Sequence, residues 1–460
     1  MNLWDSASLA QALGPIAVPD SISATGVSID TRSLQKGDIF IALRGPNFDG
    51  HDFVAKAIAQ GAACVMVDRN GISGIDGAVI RCADTYAALW DLARYRLRHI
   101  APKVIAVTGS VGKTSTKEAL GLIFAAQGPT HFTTGNLNNA YGLPLTCARM
   151  PASTQYCILE MGMNHAGEIA PLSNLARPDI AIITTIAPVH LENFTGMQGL
   201  AQAKAEIFAG MQEGTHALID VDSEWHAFLA DQAKNLHIHH FGMADTAEYR
   251  LRATKITKTG TTAKVQIASN GYNVHFLAQG AHLAKNIVAA LGAAHLAGLD
   301  LPESIAALRD WDLLQGRGKR NYLKIFGHSI TVIDESYNAS PKAVTAAIET
   351  MAHVYQGRGR LIAVLGDMGE LGAHAQTMHA DLATPLQHAN IAKYYLCGDL
   401  MKNLAAKVQG ACIHRRTAQE LLPDIVSDLR HDDVLLVKGS LSMGMKTIVD
   451  ALIAKDHDEG

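Results

Sequence analysis

Long apolar runs are missing from this sequence: none approaches the roughly 18 residues that cross a membrane, so no membrane span is expected. Charge of one sign is not concentrated either. The 39 Lys and Arg face 43 Asp and Glu, and the pairs Arg415-Arg416 and Lys319-Arg320 stand isolated. Isolated pairs are solvated surface more often than a nucleic-acid patch, so no nucleic-acid partner is expected. The six cysteines (Cys64, Cys82, Cys147, Cys157, Cys397 and Cys412) form no CxxC pair and no metal-ligand spacing. Several sit inside apolar runs, where a buried thiol is the default, and the pattern suits a reducing cytosol. The opening MNLWDSASLAQAL carries Asp5 and lacks a basic start followed by an apolar stretch, so no signal peptide is expected. Internal repeats and low-complexity segments are absent too. Together these absences predict a soluble cytoplasmic protein.

What is present is apolar material in quantity: 48% of 460 residues, enough for large cores and too long for one. Short apolar runs ending in Gly or polar residues recur at Val104–Thr108, Cys157–Glu160, Ile180–Ile186, Ile330–Asp334, Leu361–Asp367, Tyr394–Asp399 and Val434–Gly439. Helical patterns lie between them, as in Ile448, Val449, Leu452 and Ile453. Strands alternating with helices predict α/β layers with mostly parallel sheets, whose functional groups gather at the carboxyl ends of strands. The helical stretch Tyr86–His99 stops at Ala101-Pro102, and QGRGKRN interrupts the chain near Leu314–Arg320. The expected domains are therefore 1–101, 102–314 and 315–460. Tyr249–Ala278, rich in Thr, Val and Ile, is expected to be an antiparallel insertion in the middle domain.

The run Val104–Thr108 leads into Gly109-Ser110-Val111-Gly112-Lys113-Thr114-Ser115 and then a helical pattern with Leu120, Ile123 and Phe124. Glycines let backbone N–H groups close around phosphate oxygens, and the helix N-terminus adds partial positive charge. Lys113 can reach terminal phosphates and the Thr114 hydroxyl can ligate Mg²⁺. The general motif wants glycine at 107, which is Val107; here the early glycine is Gly109. The strand–turn–helix setting favours a phosphate loop over an ordinary tight turn.

Three further residues are chemically suggestive. Glu160 ends a strand-like run beside the phosphate loop, the usual place for a carboxylate that holds a divalent ion, although a charged residue leaving a strand for solvent fits the spacing equally well. His190 follows another such run, and a lone histidine is more often a structural hydrogen-bonder than a ligand. Lys204 falls on a predicted helix, where a surface lysine paired with a carboxylate is the ordinary reading. The His237–His240 cluster has the wrong order for a metal site and reads as a solvated loop.

The whole chain resembles the Mur ligase family. Ser28-Ile-Asp30-Thr-Arg32, Gly37-Asp38-Ile-Phe40 and Asp49-Gly-His51-Asp-Phe53 are similar to that family's UDP-sugar-peptide module. Thr108–Thr114 matches its variant phosphate loop, which accounts for the displaced glycine. Asn136-Leu-Asn138-Asn139 with Gly142 and Pro144 resembles its substrate-contacting segment. His282 with Asn286 matches the adenine-side motif, and Gly316-Arg317 the ATP-contacting arginine. Asp334-Glu-Ser-Tyr337-Asn338-Ala-Ser-Pro341 resembles a signature of the third domain, followed by Leu365–Gly372 and Lys438-Gly-Ser440. Leu441 departs from the pattern, since relatives often carry Arg there.

The resemblance implies a small UDP-sugar-peptide domain, a central P-loop ATPase-like parallel-sheet domain and a C-terminal Rossmann-like α/β domain that closes over ATP. It implies two Mg²⁺ ions, with Thr114 on one and Glu160, His190 and an N-carbamylated Lys204 on the other. The implied substrates are ATP, UDP-N-acetylmuramoyl-tripeptide and D-alanyl-D-alanine, and the implied reaction is amide formation through an acyl phosphate by a monomer. Ser28, Asp30, Arg32, Asn136, Asn138 and Asn139 are the implied substrate contacts, and Asn286, Arg317, Asp334, Tyr337 and Asn338 the implied nucleotide contacts beyond the loop. A branch that adds diaminopimelate or lysine would show a DNPR-like motif, which is absent; folylpolyglutamate synthase would lack residues 1–101 as a separate module. A P-loop switch or motor would hydrolyse ATP without an acceptor.

Overall fold

The computed structural model describes residues 2–45, 48–68, 77–188, 193–257, 259–355 and 357–458. Its architecture is α/β, built on three principal sheets. Four parallel strands, Gly26–Ser28, Asp38–Ile41, Cys64–Val67 and Val79–Arg81, lie side by side in sequence order. Nine strands form the central sheet. Lys103–Thr108 lies between Ile180–Ile183 and Tyr156–Glu160, parallel to both. Five of its six residues are buried, which is why this strand reads as a continuous apolar run rather than an alternation. Because the chain moves to opposite sides of this strand, a crevice opens at its carboxyl end. The third sheet runs Lys319–Ile325, His328–Glu335, Val434–Lys438, Leu361–Gly366, Lys393–Cys397 and Ala411–Arg415; only its first pair is antiparallel.

Tyr249–Thr257, Gly260–Ile267 and Asn270–Phe276 form an antiparallel meander, and it extends the nine-stranded sheet rather than standing apart. His237–His240 are not a loop. They open the strand His237–Gly242, whose Phe241 is buried. The rings are accommodated by one another and by an acid: His216 Nδ1 lies 3.0 Å from His239 Nε2, and His239 Nδ1 lies 2.8 Å from Glu248.

The helix Thr85–Ile100 starts where the Asp84 side chain accepts the N–H groups of Tyr86 and Ala87, and stops at Ala101, which has φ 48°. Its Leu89 and Leu92 join the core of the first sheet together with Leu145 and Ala148 from the helix Gly142–Ala148. Its Ala93 and Leu97 belong to the central core. Trp90 Nε1 donates to the Ala140 carbonyl at 3.2 Å and Arg96 Nε to the Met150 carbonyl at 2.9 Å. The first and middle sheets thus share packing through this helix.

In the third sheet Arg360 donates from Nε and Nη2 to Asp433, whose side chain is fully buried, and from Nη1 to Asp428. Burial opposes ionisation of Asp428, but hydrogen bonds from Lys393, Tyr395 and Arg360 outweigh it and hold its pKa at about 2. Arg360→Ala leaves Asp433 buried without its cation, and the expected loss is about 3–5 kcal/mol by urea unfolding.

Candidate active site

The turn Gly109–Gly112 links the strand Lys103–Thr108 to the helix Lys113–Ala125. Both glycines are required. At Gly109, with φ +146°, a Cβ would stand 2.0 Å from Thr184 Oγ1; at Gly112, with φ +92°, it would meet Asn286 Nδ2 at 2.9 Å. The neighbouring strand end clamps the turn: Ser110 N–H donates to the Thr185 carbonyl at 2.7 Å, the Ser110 hydroxyl to Ala187 at 2.9 Å, and the Thr184 hydroxyl to Val111 at 2.7 Å. Asn286 Nδ2 donates to the Ser115 hydroxyl at 3.0 Å. Lys113 is half-buried, and its Nζ donates to the Gly109 carbonyl at 2.6 Å and to Ser110 at 3.4 Å. Desolvation by the cleft walls pushes its pKa below the usual lysine value, against the pull of Glu160 and with the help of Arg317.

Glu160 does not leave its strand for solvent; it is 2% exposed. Its Oε2 accepts the Thr114 hydroxyl at 3.0 Å and its Oε1 accepts Asn138 Nδ2 at 2.8 Å. The phosphate loop and the Asn136–Asn139 segment therefore meet on one carboxylate. Lys204 is not a surface lysine. It lies in the last turn of the helix Gly196–Ala205 and is 1% exposed. Burial drives its pKa well below the usual value, the Lys113 charge adds to this, and Glu160 and Glu206 oppose it. Glu206 is engaged with backbone instead, accepting the N–H groups of Gly167, Ile169 and Ala170. His190 lies outside the described residues.

From the third sheet, the Asp334 carboxylate accepts the Gly316 N–H at 2.7 Å and both the N–H and hydroxyl of Ser336, and its carbonyl accepts the Gly318 N–H at 2.7 Å. Asp334 is 1% exposed and shapes the turn that presents Arg317, whose guanidinium stacks 3.8 Å from the Tyr337 ring centroid. Lys438 Nζ donates to Glu335 at 2.9 Å and to the Asn338 carbonyl at 3.0 Å.

A cleft of about 930 Å³ lies between the nine-stranded and six-stranded sheets. Ser110–Ser115, Asn136, Asn138, Asn139, Glu160, Asn286, Arg317, Tyr337 and Asn338 line it; Gly109, Asp334 and Lys204 do not, and neither do Ser28, Asp30 and Arg32 of the first sheet. Arg32 is exposed and forks onto Asp30, with Nη2 at 2.6 Å from Oδ2. Sequence reasoning missed Glu118, Lys285 and Glu335 on the cleft wall. Lys285 had no legible signal, because its partners Asp220 (2.6 Å) and Asp222 (3.1 Å) lie more than sixty residues upstream.

A glycine turn on a central parallel strand, a buried carboxylate one strand away and a second α/β sheet across the cleft define a phosphate-loop enzyme working between domains. Comparison with known proteins narrows this. Residues 23–96 match the Mur ligase family catalytic domain, 107–294 the Mur ligase middle domain, and 322–441 the Mur ligase glutamate ligase domain. The UDP-N-acetylmuramoyl-tripeptide--D-alanyl-D-alanine ligase of Rickettsia prowazekii is 32% identical over 458 residues, covering 97% of this chain and 99% of that one. The Bacillus subtilis ligase of the same name is 34% identical over 434 residues, with 93% of each chain covered. A crystal structure of MurF from Acinetobacter baumannii superposes with a TM-score of 0.84 at 29% identity, over 98% of this chain and 99% of that one. This chain belongs to the Mur ligase family.

Proposed function

We propose that this chain is an ATP-dependent ligase that joins D-alanyl-D-alanine to UDP-N-acetylmuramoyl-tripeptide, a cytoplasmic step in building peptidoglycan precursors. The relatives that match it end to end bear that name. The observation that carries the mechanism is Glu160, held by Thr114 from the phosphate loop and by Asn138 from the substrate segment. A carboxylate bonded to both ties the phosphate loop to the segment that would hold the acyl substrate.

The tripeptide carboxylate attacks the γ-phosphorus, the bond to the β-phosphate oxygen breaks, and ADP and an acyl phosphate result. The dipeptide amine then attacks the acyl carbon, a proton leaves the nitrogen, and inorganic phosphate departs. Two anions must approach in the first step, so cationic groups matter most there. Lys113 brings its ammonium to the loop, the N–H groups of the glycine turn cradle phosphate oxygens, and Arg317 and Asn286 hold the nucleotide from the two sides of the cleft. Asn136, Asn138 and Asn139 position the acyl substrate, and Tyr337 and Asn338 line the wall that closes over it and excludes water.

The donor set fits Mg²⁺: a hydroxyl and a carboxylate hydrogen-bonded to each other beside a phosphate loop are hard oxygen ligands of the kind that the ion takes alongside phosphate and water. Thr114 would hold one ion, and Glu160 with His190 and a carbamylated Lys204 the other; when bound, Mg²⁺ neutralises charge on the phosphate oxygens.

The test is ATP turnover with UDP-N-acetylmuramoyl-tripeptide, with and without D-alanyl-D-alanine. Amide product and ADP should appear in equal amounts only when both acceptors are present; brisk ADP release without them would point to a switch or motor. The first sheet binds the uridine end in this reading. Arg32→Ala should raise KM for the UDP substrate about 10-fold, the worth of one charged hydrogen bond, with kcat and KM for ATP unchanged.

A further inference from the structure

Lys117 takes no part in the chemistry above, yet its side chain is among the largest that are fully buried. It stands one turn beyond Lys113 on the phosphate-loop helix. Removing an ammonium from water costs several kcal/mol, so what it touches needs an account. Nζ donates to the Thr133 carbonyl at 2.9 Å, contacts the Glu118 carboxylate and lies 5.7 Å from the Phe132 ring centroid. Thr133, 0% exposed, follows the strand Thr130–Phe132. Its hydroxyl accepts the Glu160 N–H at 3.1 Å, and its own N–H donates to the Ile158 carbonyl at 3.0 Å. The Asn136–Asn139 segment departs three residues later, and Asn138 returns to bond the Glu160 side chain.

We propose that Lys117 is a positioning residue: by fixing the Thr133 backbone it sets the Glu160 carboxylate and the root of the Asn136–Asn139 segment against Thr114. The lysine holds Thr133 from the helix side, and Thr133 in turn holds Glu160 at its backbone. Glu160 is thereby fixed at both ends, because Thr114 sits on the same helix as Lys117. A lysine kept only for packing would be replaceable by a hydrocarbon of similar length, since swapping a buried charge for an apolar side chain is often neutral or stabilising. A positioning lysine would fold as Met and still lose alignment of Glu160.

This inference rests on the ligase reading, and its test is chosen to fail separately. Mn²⁺ affinity of the full-length protein is measured by electron paramagnetic resonance in the presence of ADP, alongside ADP affinity without metal and thermal unfolding. Lys117→Met should unfold near the wild-type temperature, bind metal-free ADP normally and bind Mn²⁺ about 10- to 100-fold more weakly, the usual effect of losing a residue that orients a metal ligand. Thr133→Val should produce a similar loss, Thr133→Ser should retain affinity, and Lys117→Met with Thr133→Val should lose no more than either alone. Wild-type Mn²⁺ affinity in Lys117→Met, or losses that add, would overturn the proposal. Should Lys117→Met fail to fold, Thr133→Val decides, and equal affinities in the Val and Ser variants overturn it. A wild-type protein that binds Mn²⁺ and ADP but forms no amide would sink the ligase reading instead.

Discussion

Lys113→Ala is expected to fold normally and to lose ligation by more than about 100-fold, the scale of removing a preorganised charge from developing negative charge. Folding should survive because the side chain holds up nothing. Among the described residues its Nζ donates to the Gly109 and Ser110 carbonyls of its own turn, and the turn is clamped independently through Ser110, Thr184 and Asn286. The geometry of the glycine turn is set by the backbone and stays. What goes is the lysine that opens the helix, where the partial positive charge of the helix and the ammonium would act on the same phosphate oxygens. Arg317 cannot substitute, being stacked on Tyr337 across the cleft. The loss should appear mainly in kcat at saturating ATP, because two anions approaching each other need that charge most at the transition state. Near-normal turnover at saturating ATP would remove the phosphate-loop assignment. Circular dichroism and thermal unfolding on the same sample would show that the loss is chemical.

The sheets were legible because buried parallel strands announce themselves. Lys103–Thr108, Tyr156–Glu160, Leu361–Gly366 and Val434–Lys438 are apolar runs that end at the cleft, and their ends carry the loop, Glu160 and Lys438. The phosphate turn was legible because only glycine tolerates its two positive-φ positions. What could not be read was which lysines face inward. Lys117 and Lys204 sit in helical stretches like any surface lysine, and only tertiary packing buries them. Asp334 is an implied nucleotide contact, yet its carboxylate accepts Gly316 and Ser336 and does not line the cleft. The expected cut at residue 101 also hides a tertiary fact. It falls between a helix and a strand, but Thr85–Ile100 packs on Gly142–Ala148 and supplies both cores, so a chain starting at Lys103 would expose Leu145 and Ala148. The role of the first sheet is therefore better tested with Arg32→Ala than with a fragment.

Lys204 offers the second large effect. Lys204→Ala should be nearly inactive, a small carboxylic acid in the buffer should restore part of the activity, and Lys204→Glu should rescue poorly because glutamate is shorter than a carbamylated lysine. The reason begins with burial. A cation 1% exposed and close to Lys113 is poorly placed, and its pKa lies well below its ordinary value of 10.5. That favours the neutral amine, whose nitrogen can add to CO₂, forming an N–C bond and releasing one proton to leave a carbamate. The product is an oxygen anion of the type that suits Mg²⁺ and Lys113 alike. Stability should report the same chemistry. The unmodified folded protein binds fewer protons at Lys204 than the unfolded chain, so this lysine favours folding least at low pH. Its penalty grows as pH falls from above 10.5 toward the depressed folded value. At pH 7–8 the penalty is present, carbamylation removes it, and added bicarbonate should raise the Tm of the wild type but leave Lys204→Ala unmoved. High-resolution density of an ATP-analogue complex showing an unmodified ammonium turned away from Glu160 would refute the carbamate, and wild-type rates in Lys204→Ala would refute any role for the residue.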